Sequence, residues 1–73
     1  MGQKILVKVV FNSSREGLES FGNNRYLLKL SYPEDADAKR IIIEYISRSM
    51  GVPSSKIAFI EQDVRKNWHF EVL

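Results

Sequence analysis

The chain has 73 residues, 44% of them apolar, with 11 Lys and Arg against 9 Asp and Glu for a formal net charge of +2, and no cysteine. That length holds one domain, residues 1–73, whose core must be stabilised by packing alone. The missing cysteines exclude a disulfide scaffold, a thiol nucleophile, a zinc ribbon and an iron–sulfur site, and so small a charge bias identifies a nucleic-acid partner only if the bases cluster.

Residues 1–4, MGQK, lead into a stretch broken at Lys8 rather than into a signal-peptide core, and no apolar run approaches the length of a membrane span. The expectation is a cytoplasmic protein. ILVKVVF, residues 5–11, reads as a half-buried strand with Ile5, Val7, Val9 and Phe11 on one side and Lys4, Leu6, Lys8 and Val10 on the other. NSSREGLESFGNN, residues 12–24, concentrates the turn formers and reads as a loop. Within it Leu18 and Phe21 permit a short strand that folds back through Gly22-Asn23-Asn24.

RYLLKLSY, residues 25–32, alternates cleanly: Tyr26, Leu28, Leu30 and Tyr32 face one way, Arg25, Leu27, Lys29 and Ser31 the other. The period then changes to that of a helix, with Ala38, Ile42, Tyr45, Ile46 and Ser49 on its apolar side; Gly51 closes it and Pro53 prevents its continuation. Residues 57–61 and 68–72 read as two further strands joined by a turn over 63–67, with Ile57 and Phe59, then Trp68, Phe70 and Val72, facing the helix. The expected fold is therefore α+β, a two-layer α/β sandwich of one helix on a four-stranded sheet, ordered β-β-α-β-β, with the other sheet face open.

The densest charge run, SYPEDADAKRIII at residues 31–43, places Glu34, Asp35 and Asp37 beside one another. Acids are favoured where a helix begins, because the free amides there are positive. Ser31 with Glu34 in capping-box spacing, or Asp35 as the cap, accounts for them without a metal. His69, the single histidine, reads as a solvated strand residue; a general base would need an orienting carboxylate, and Glu71 is the one on its face. Ser13, Ser14, Ser54 and Ser55 lack a nucleophile-elbow context, and glycines at 2, 17, 22 and 51 are too scattered for a phosphate loop.

Lys4, Lys8, Arg25 and Lys29 are expected on the open face with His69, Leu6, Leu27 and Ile60, a surface fit for an acidic protein or a phosphate backbone. Tyr26, Tyr32, Phe59, Trp68 and Phe70 are expected on the helix side, which disfavours base stacking. Ile41, Ile42 and Ile43 cannot all face the sheet. One flank of the helix is left for the 12–24 loop or for another subunit.

Several of these stretches together resemble the YggU-like family of small bacterial and archaeal proteins with no established function: Ser14-Arg15 after the first strand, Pro33 ending the second, Asp35 and Ala38 at the helix start, Ile43-Glu44-Tyr45-Ile46, and GVPSSKI at residues 51–57. The likeness spans most of the chain. Where that family carries glycine, lysine, alanine and asparagine at its helix start, this chain has Ala36, Asp37, Ala38 and Lys39. Where the family has glycine, arginine and lysine between its last strands, this chain has Gln62, Lys66 and Trp68. The resemblance implies the fold and offers Ser14, Arg15 and Asp35 as binding residues. A β-grasp domain is the competing fold, although its carrier function requires a tail ending in two glycines and residues 70–73 here are FEVL.

The reading is a non-enzymatic binding or accessory domain, without cofactor or metal and without membrane association, a monomer or weak homo-oligomer whose sheet face or Ser14-Arg15 loop contacts a protein or nucleic-acid partner. The alternative is a nucleic-acid- or ribosome-associated protein using Lys4, Lys8, Arg25 and Lys29.

Overall fold

A computed structural model describes residues 2–73. The strand β1, Gln3–Val10, alternates as its sequence requires: Ile5, Val7 and Val9 are buried while Lys4 and Lys8 are exposed. It occupies the middle of a five-stranded sheet of order β2-β3-β1-β5-β4, where β2 is Gly17–Gly22, β3 Arg25–Lys29, β4 Ile57–Gln62 and β5 Asn67–Val72. The sheet is mixed. β1 runs parallel to β3, with Val7 opposite Tyr26 and Val9 opposite Leu28, and antiparallel to β5, with Ile5 opposite Phe70 and Val7 opposite Trp68. Side chains at matched positions share a face, so these residues form the apolar floor under the helix α1, Ala38–Met50.

The sheet has one strand more than the four expected. β2 lies within the 12–24 stretch and pairs antiparallel with β3, with Leu18 opposite Leu28. Asn23 and Asn24 link the two at φ 52° and 62°, both in the left-handed region that a two-residue type I′ turn needs and that asparagine tolerates. Only Leu18 of this strand packs on the core, and four of its six residues are exposed. Its hydrophobic alternation is too short to register as a pattern. β2 and β4 are the sheet's edges, and each is interrupted by a bulge, at Phe21 between Ser20 and Gly22 and at Ile60 between Phe59 and Glu61. Such breaks spoil the regular row of amides and carbonyls that another strand would pair with.

The helix places Ala38, Ile42 and Ile46 in the core, with Ile41, Ile43, Tyr45 and Met50 half-buried on its flanks. Ser49, expected on the apolar side, is exposed. The residue at the helix start is Asp37, whose side chain caps no amide, and no acid lies in the first turn; of the expected acids only Asp35 acts nearby, in the turn before the helix. The Asp35 carboxylate accepts the Asp37 amide at 2.8 Å and its carbonyl accepts the Ala38 amide at 3.2 Å, so Asp35 caps the turn that leads into α1. The Ser31–Glu34 capping box does not form, because Ser31 hydrogen-bonds Glu16 and Glu34 reaches across to Lys66 at 3.9 Å.

At the other end Gly51, at φ 69°, donates its amide to the Ser47 carbonyl at 2.9 Å, and Ser47 Oγ donates to the Val52 carbonyl at 2.6 Å. A single turn of 3-10 helix, Ser54–Lys56, then delivers the chain to β4.

Phe59, Trp68 and Phe70 complete the floor on the β4–β5 side, with ring centroids 5.6 Å, 5.7 Å and 6.5 Å apart. Contacts of this kind contribute about 0.5–1.5 kcal/mol each beyond the area they bury. Lys39 lays its ammonium 5.3 Å from the centre of the Phe59 ring, which is itself 37% exposed at the edge of this cluster. Trp68 is 6% exposed, and its indole nitrogen is buried without a hydrogen-bond partner among the described residues.

Two backbone positions in the left-handed region test this account. A β-carbon at Gly51 meets nothing within 4 Å, so the cost of Gly51→Ala is purely conformational, and it should lower unfolding free energy by about 1 kcal/mol. Lys66, at φ 63° in the β4–β5 turn, holds the same conformation with a side chain. Lys66→Gly should raise the denaturant midpoint by an amount corresponding to about 0.5–1 kcal/mol.

Candidate functional site

The sheet face away from α1 carries the expected bases. Register places Lys4, Leu6, Lys8 and Val10 of β1 beside Arg25, Leu27 and Lys29 of β3 and Asn67, His69 and Glu71 of β5. Lys4, Lys8, Arg25 and Lys29 therefore do share one face, and none of them has an ion-pair partner among the described residues. The same registers bring acids into it. Glu19 stands opposite Leu27, Glu61 opposite His69, and Glu71 opposite Lys4.

No base occupies the position directly across from another base. Lys8 lies between Leu27 and Asn67, Arg25 opposite Leu6, and Lys29 between Val10 and Gly17. The face is a mixed array in which charges of both signs are separated by Leu6, Leu27, Val10 and, at the β4 bulge, Ile60.

Because β1 and β3 are parallel, their carboxyl ends lie side by side, and the segments that leave them meet. The Leu30 amide donates to the Val10 carbonyl at 2.9 Å, Ser13 to Leu30 at 2.8 Å and Asn12 to Tyr32 at 2.9 Å, continuing the pairing past the strand ends. Glu16 sits at this junction. Its Oε1 accepts the Ser31 hydroxyl at 2.8 Å and its Oε2 accepts the Tyr45 hydroxyl at 3.1 Å, so one carboxylate ties the loop before β2 to the end of β3 and to the helix.

These donors, Ser31 foremost, hold the Glu16 carboxyl below its ordinary value of 4.5. Burial and the Glu16 bond push the Tyr45 phenol up, and the Glu16 carboxylate does the same to Tyr32. Tyr32 itself is 45% exposed, outside the core where its alternation placed it. Arg15, one residue from Glu16, donates its amide to Ser13 Oγ at 3.3 Å. Its side chain lines a cleft of about 190 Å³ with Glu16, Gly17, Leu18, Glu19 and Lys29.

The other candidates are not brought together. Ser14 is exposed in the loop, and Asp35 belongs to the helix start, whereas His69 and Glu71 lie on the open sheet face. The carboxylate against His69 is Asp63, not Glu71: its Oδ2 lies 3.0 Å from His69 Nε2. Asp63 also accepts the amides of Arg65 at 2.9 Å and Asn67 at 3.0 Å, which makes it the organiser of the β4–β5 turn. His69 first, then the Asn67 amide, hold its carboxyl down at about 2.

At the helix start Ala38, the one position of the four that keeps the resemblance, lies in the core, and Lys39, where it breaks, lies over Phe59. Among the described residues no group of three or more His, Cys, Asp or Glu is arranged to hold a metal ion, and no helix is long and apolar enough to cross a membrane.

Sequence reasoning missed Glu16 altogether. Nothing local marks it, because its partners are 15 and 29 residues away; the signal in hindsight is an acid one residue past the Ser14-Arg15 pair. Compared with known proteins, the chain matches no family model, no curated protein and no solved structure.

Two titrations test these networks. The Glu16–Tyr45 bond joins an ionised carboxylate to a protonated phenol. It contributes fully above pH 4.5 and below pH 10, and is lost as pH falls through the lowered Glu16 pKa or rises through the raised Tyr45 pKa. Tyr45→Phe should move the Glu16 pKa back toward 4.5 in a carboxyl-carbon NMR titration. The contribution of Asp63 is complete above its ordinary value of 3.8 and disappears as pH falls through about 2. Asp63→Asn should flatten that acid limb in a plot of denaturation midpoint against pH.

Proposed function

We propose that the chain is a non-enzymatic binding or accessory domain of the YggU-like type, acting in the cytoplasm, with the open sheet face and the adjoining Ser14-Arg15 loop as its contact surface for a protein partner. The observation that supports this reading is the composition of that face. Leu6, Leu27, Val10 and Ile60 alternate with Lys4, Lys8, Arg25 and Lys29 and with Glu19, Glu61 and Glu71, and the helix covers only the other side. A partner protein can match apolar groups and charges of both signs; a phosphate backbone matches bases alone.

The second reading, a nucleic-acid- or ribosome-associated protein, draws on the four bases of the same face that have no ion-pair partner among the described residues. Three acids among them weaken the field it would need, and the aromatic side chains Tyr26, Trp68 and Phe70 stand on the helix side, away from bases that would stack.

Fluorescence anisotropy with single-stranded RNA and duplex DNA at low salt separates the two. The protein-binding reading expects no saturable signal. Phosphate binding through four bases would appear as an affinity falling by about three to four powers of ten for each tenfold rise in salt, and would displace it. For the favoured reading, a partner captured by the wild-type chain should be lost with Leu27→Glu and with Lys8→Glu but retained with Lys56→Glu on the 3-10 helix. Equal capture by all three folded variants would move the contact surface off the open face.

A further inference from the structure

The cleft lined by Arg15, Glu16, Gly17, Leu18, Glu19 and Lys29 lies at the rim of the open face, where the loop enters β2 and β3 ends. Its four ionisable residues are two bases and two acids, and they are not in the same situation. Both oxygens of Glu16 are engaged, by Ser31 and by Tyr45. Arg15 and Lys29 have no ion-pair partner among the described residues, although two carboxylates line the same cleft. Beside Gly17, one of the lining residues, a β-carbon would meet nothing within 4 Å.

We infer that Arg15 and Lys29 form a two-pronged site for a single carboxylate of the protein partner. This rests on the protein-binding reading above and adds to it the group that is anchored. The guanidinium of Arg15 offers the planar pair of donors that a carboxylate accepts, and the Lys29 ammonium adds a second charge from the neighbouring strand. Glu16 is a positioning residue: bound to Ser31 and Tyr45, it holds the loop so that Arg15 stays at the rim.

Charge and size select the ligand. With Glu16 and Glu19 offsetting Arg15 and Lys29, the lining is neutral overall, so a doubly charged phosphate, which costs more to desolvate than a carboxylate, gains no net field to offset that cost. A volume of about 190 Å³ admits a carboxylate with a few carbons, not a nucleotide. The carboxylate belongs either to an Asp or Glu side chain or to a chain terminus, and both present the same group.

Amide NMR of the whole chain at constant ionic strength, titrated with N-acetylglycine for a terminal carboxylate, with the amide-blocked N-acetylglutamate for a side chain, and with inorganic phosphate, tests the inference. One of the two carboxylates should shift the Gly17, Leu18 and Glu19 amides saturably with a dissociation constant of the order of millimolar, and whichever binds more tightly identifies the source. Arg15→Gln and Lys29→Gln should each weaken that binding about tenfold or more while the spectrum stays dispersed, and Lys56→Gln should leave it unchanged.

Absence of saturation with both carboxylates, equal binding by the two cleft variants, or tighter binding of phosphate would overturn the site. Should it be overturned while Leu27→Glu still abolishes partner capture, the protein-binding reading stands without this anchor. Loss of capture specificity at the open face removes that reading and leaves the carboxylate titration to decide the cleft alone.

Discussion

The fold depends on β1 being paired along both of its edges. A strand of eight residues at the centre of a five-stranded sheet has its amides and carbonyls satisfied by β3 on one side and β5 on the other, so its apolar side chains are fixed in register with theirs. Val7 is the clearest case: Tyr26 stands beside it on β3 and Trp68 on β5, and it is wholly buried. Slipping either neighbour by one residue would turn Leu28 or Phe70 out to water and bring Lys29 or Glu71 under the helix. The burial of this floor and the exposure of Lys4 and Lys8 are thus two results of one pairing.

The direction of the β1–β3 pair has a second effect. Two parallel strands end at the same side of the sheet, and the loop that leaves β1 must cross to reach β2 before the hairpin returns through β3. Residues far apart in sequence, Glu16, Ser31 and Tyr45, are brought to that corner, and a carboxylate there can serve two hydroxyls at once. Placing an acid at the corner leaves the base next to it, Arg15, on the rim with Lys29. The electrostatic character of this end of the molecule follows from chain direction as much as from composition.

Each outer strand carries its own interruption. The bulges at Phe21 and Ile60 keep β2 and β4 from presenting unbroken edges, while both residues remain exposed at 63% and 45%. Association through sheet extension is disfavoured by this geometry, which leaves the faces and the rim as the surfaces able to meet a partner. On the open face the acids moderate the bases, and aliphatic residues stand between them.

Much of this was legible in the chain itself. Alternation in residues 5–11 and 25–30, the change of period at Ala38, and Gly51 with Pro53 after the helix locate β1, β3 and α1 and say which face each buries, because burial of a pleated or helical face imposes its own period on the side chains. The same alternation put Lys4, Lys8, Arg25 and Lys29 on one face. It left β2 as a permitted short hairpin strand within a loop and outside the strand count, because its one core residue, Leu18, makes no period, and it misplaced Tyr32, which leaves the strand before its alternation matters. Strand order, the parallel pair, the acids interleaved with the bases, the exchange of Glu71 for Asp63 beside His69, and the Glu16 junction were decided by tertiary structure alone. Each depends on which segments become neighbours, from Asp63 and His69 within one turn to Lys4 and Glu71 at opposite ends of the chain, and a local pattern of side chains contains no record of that.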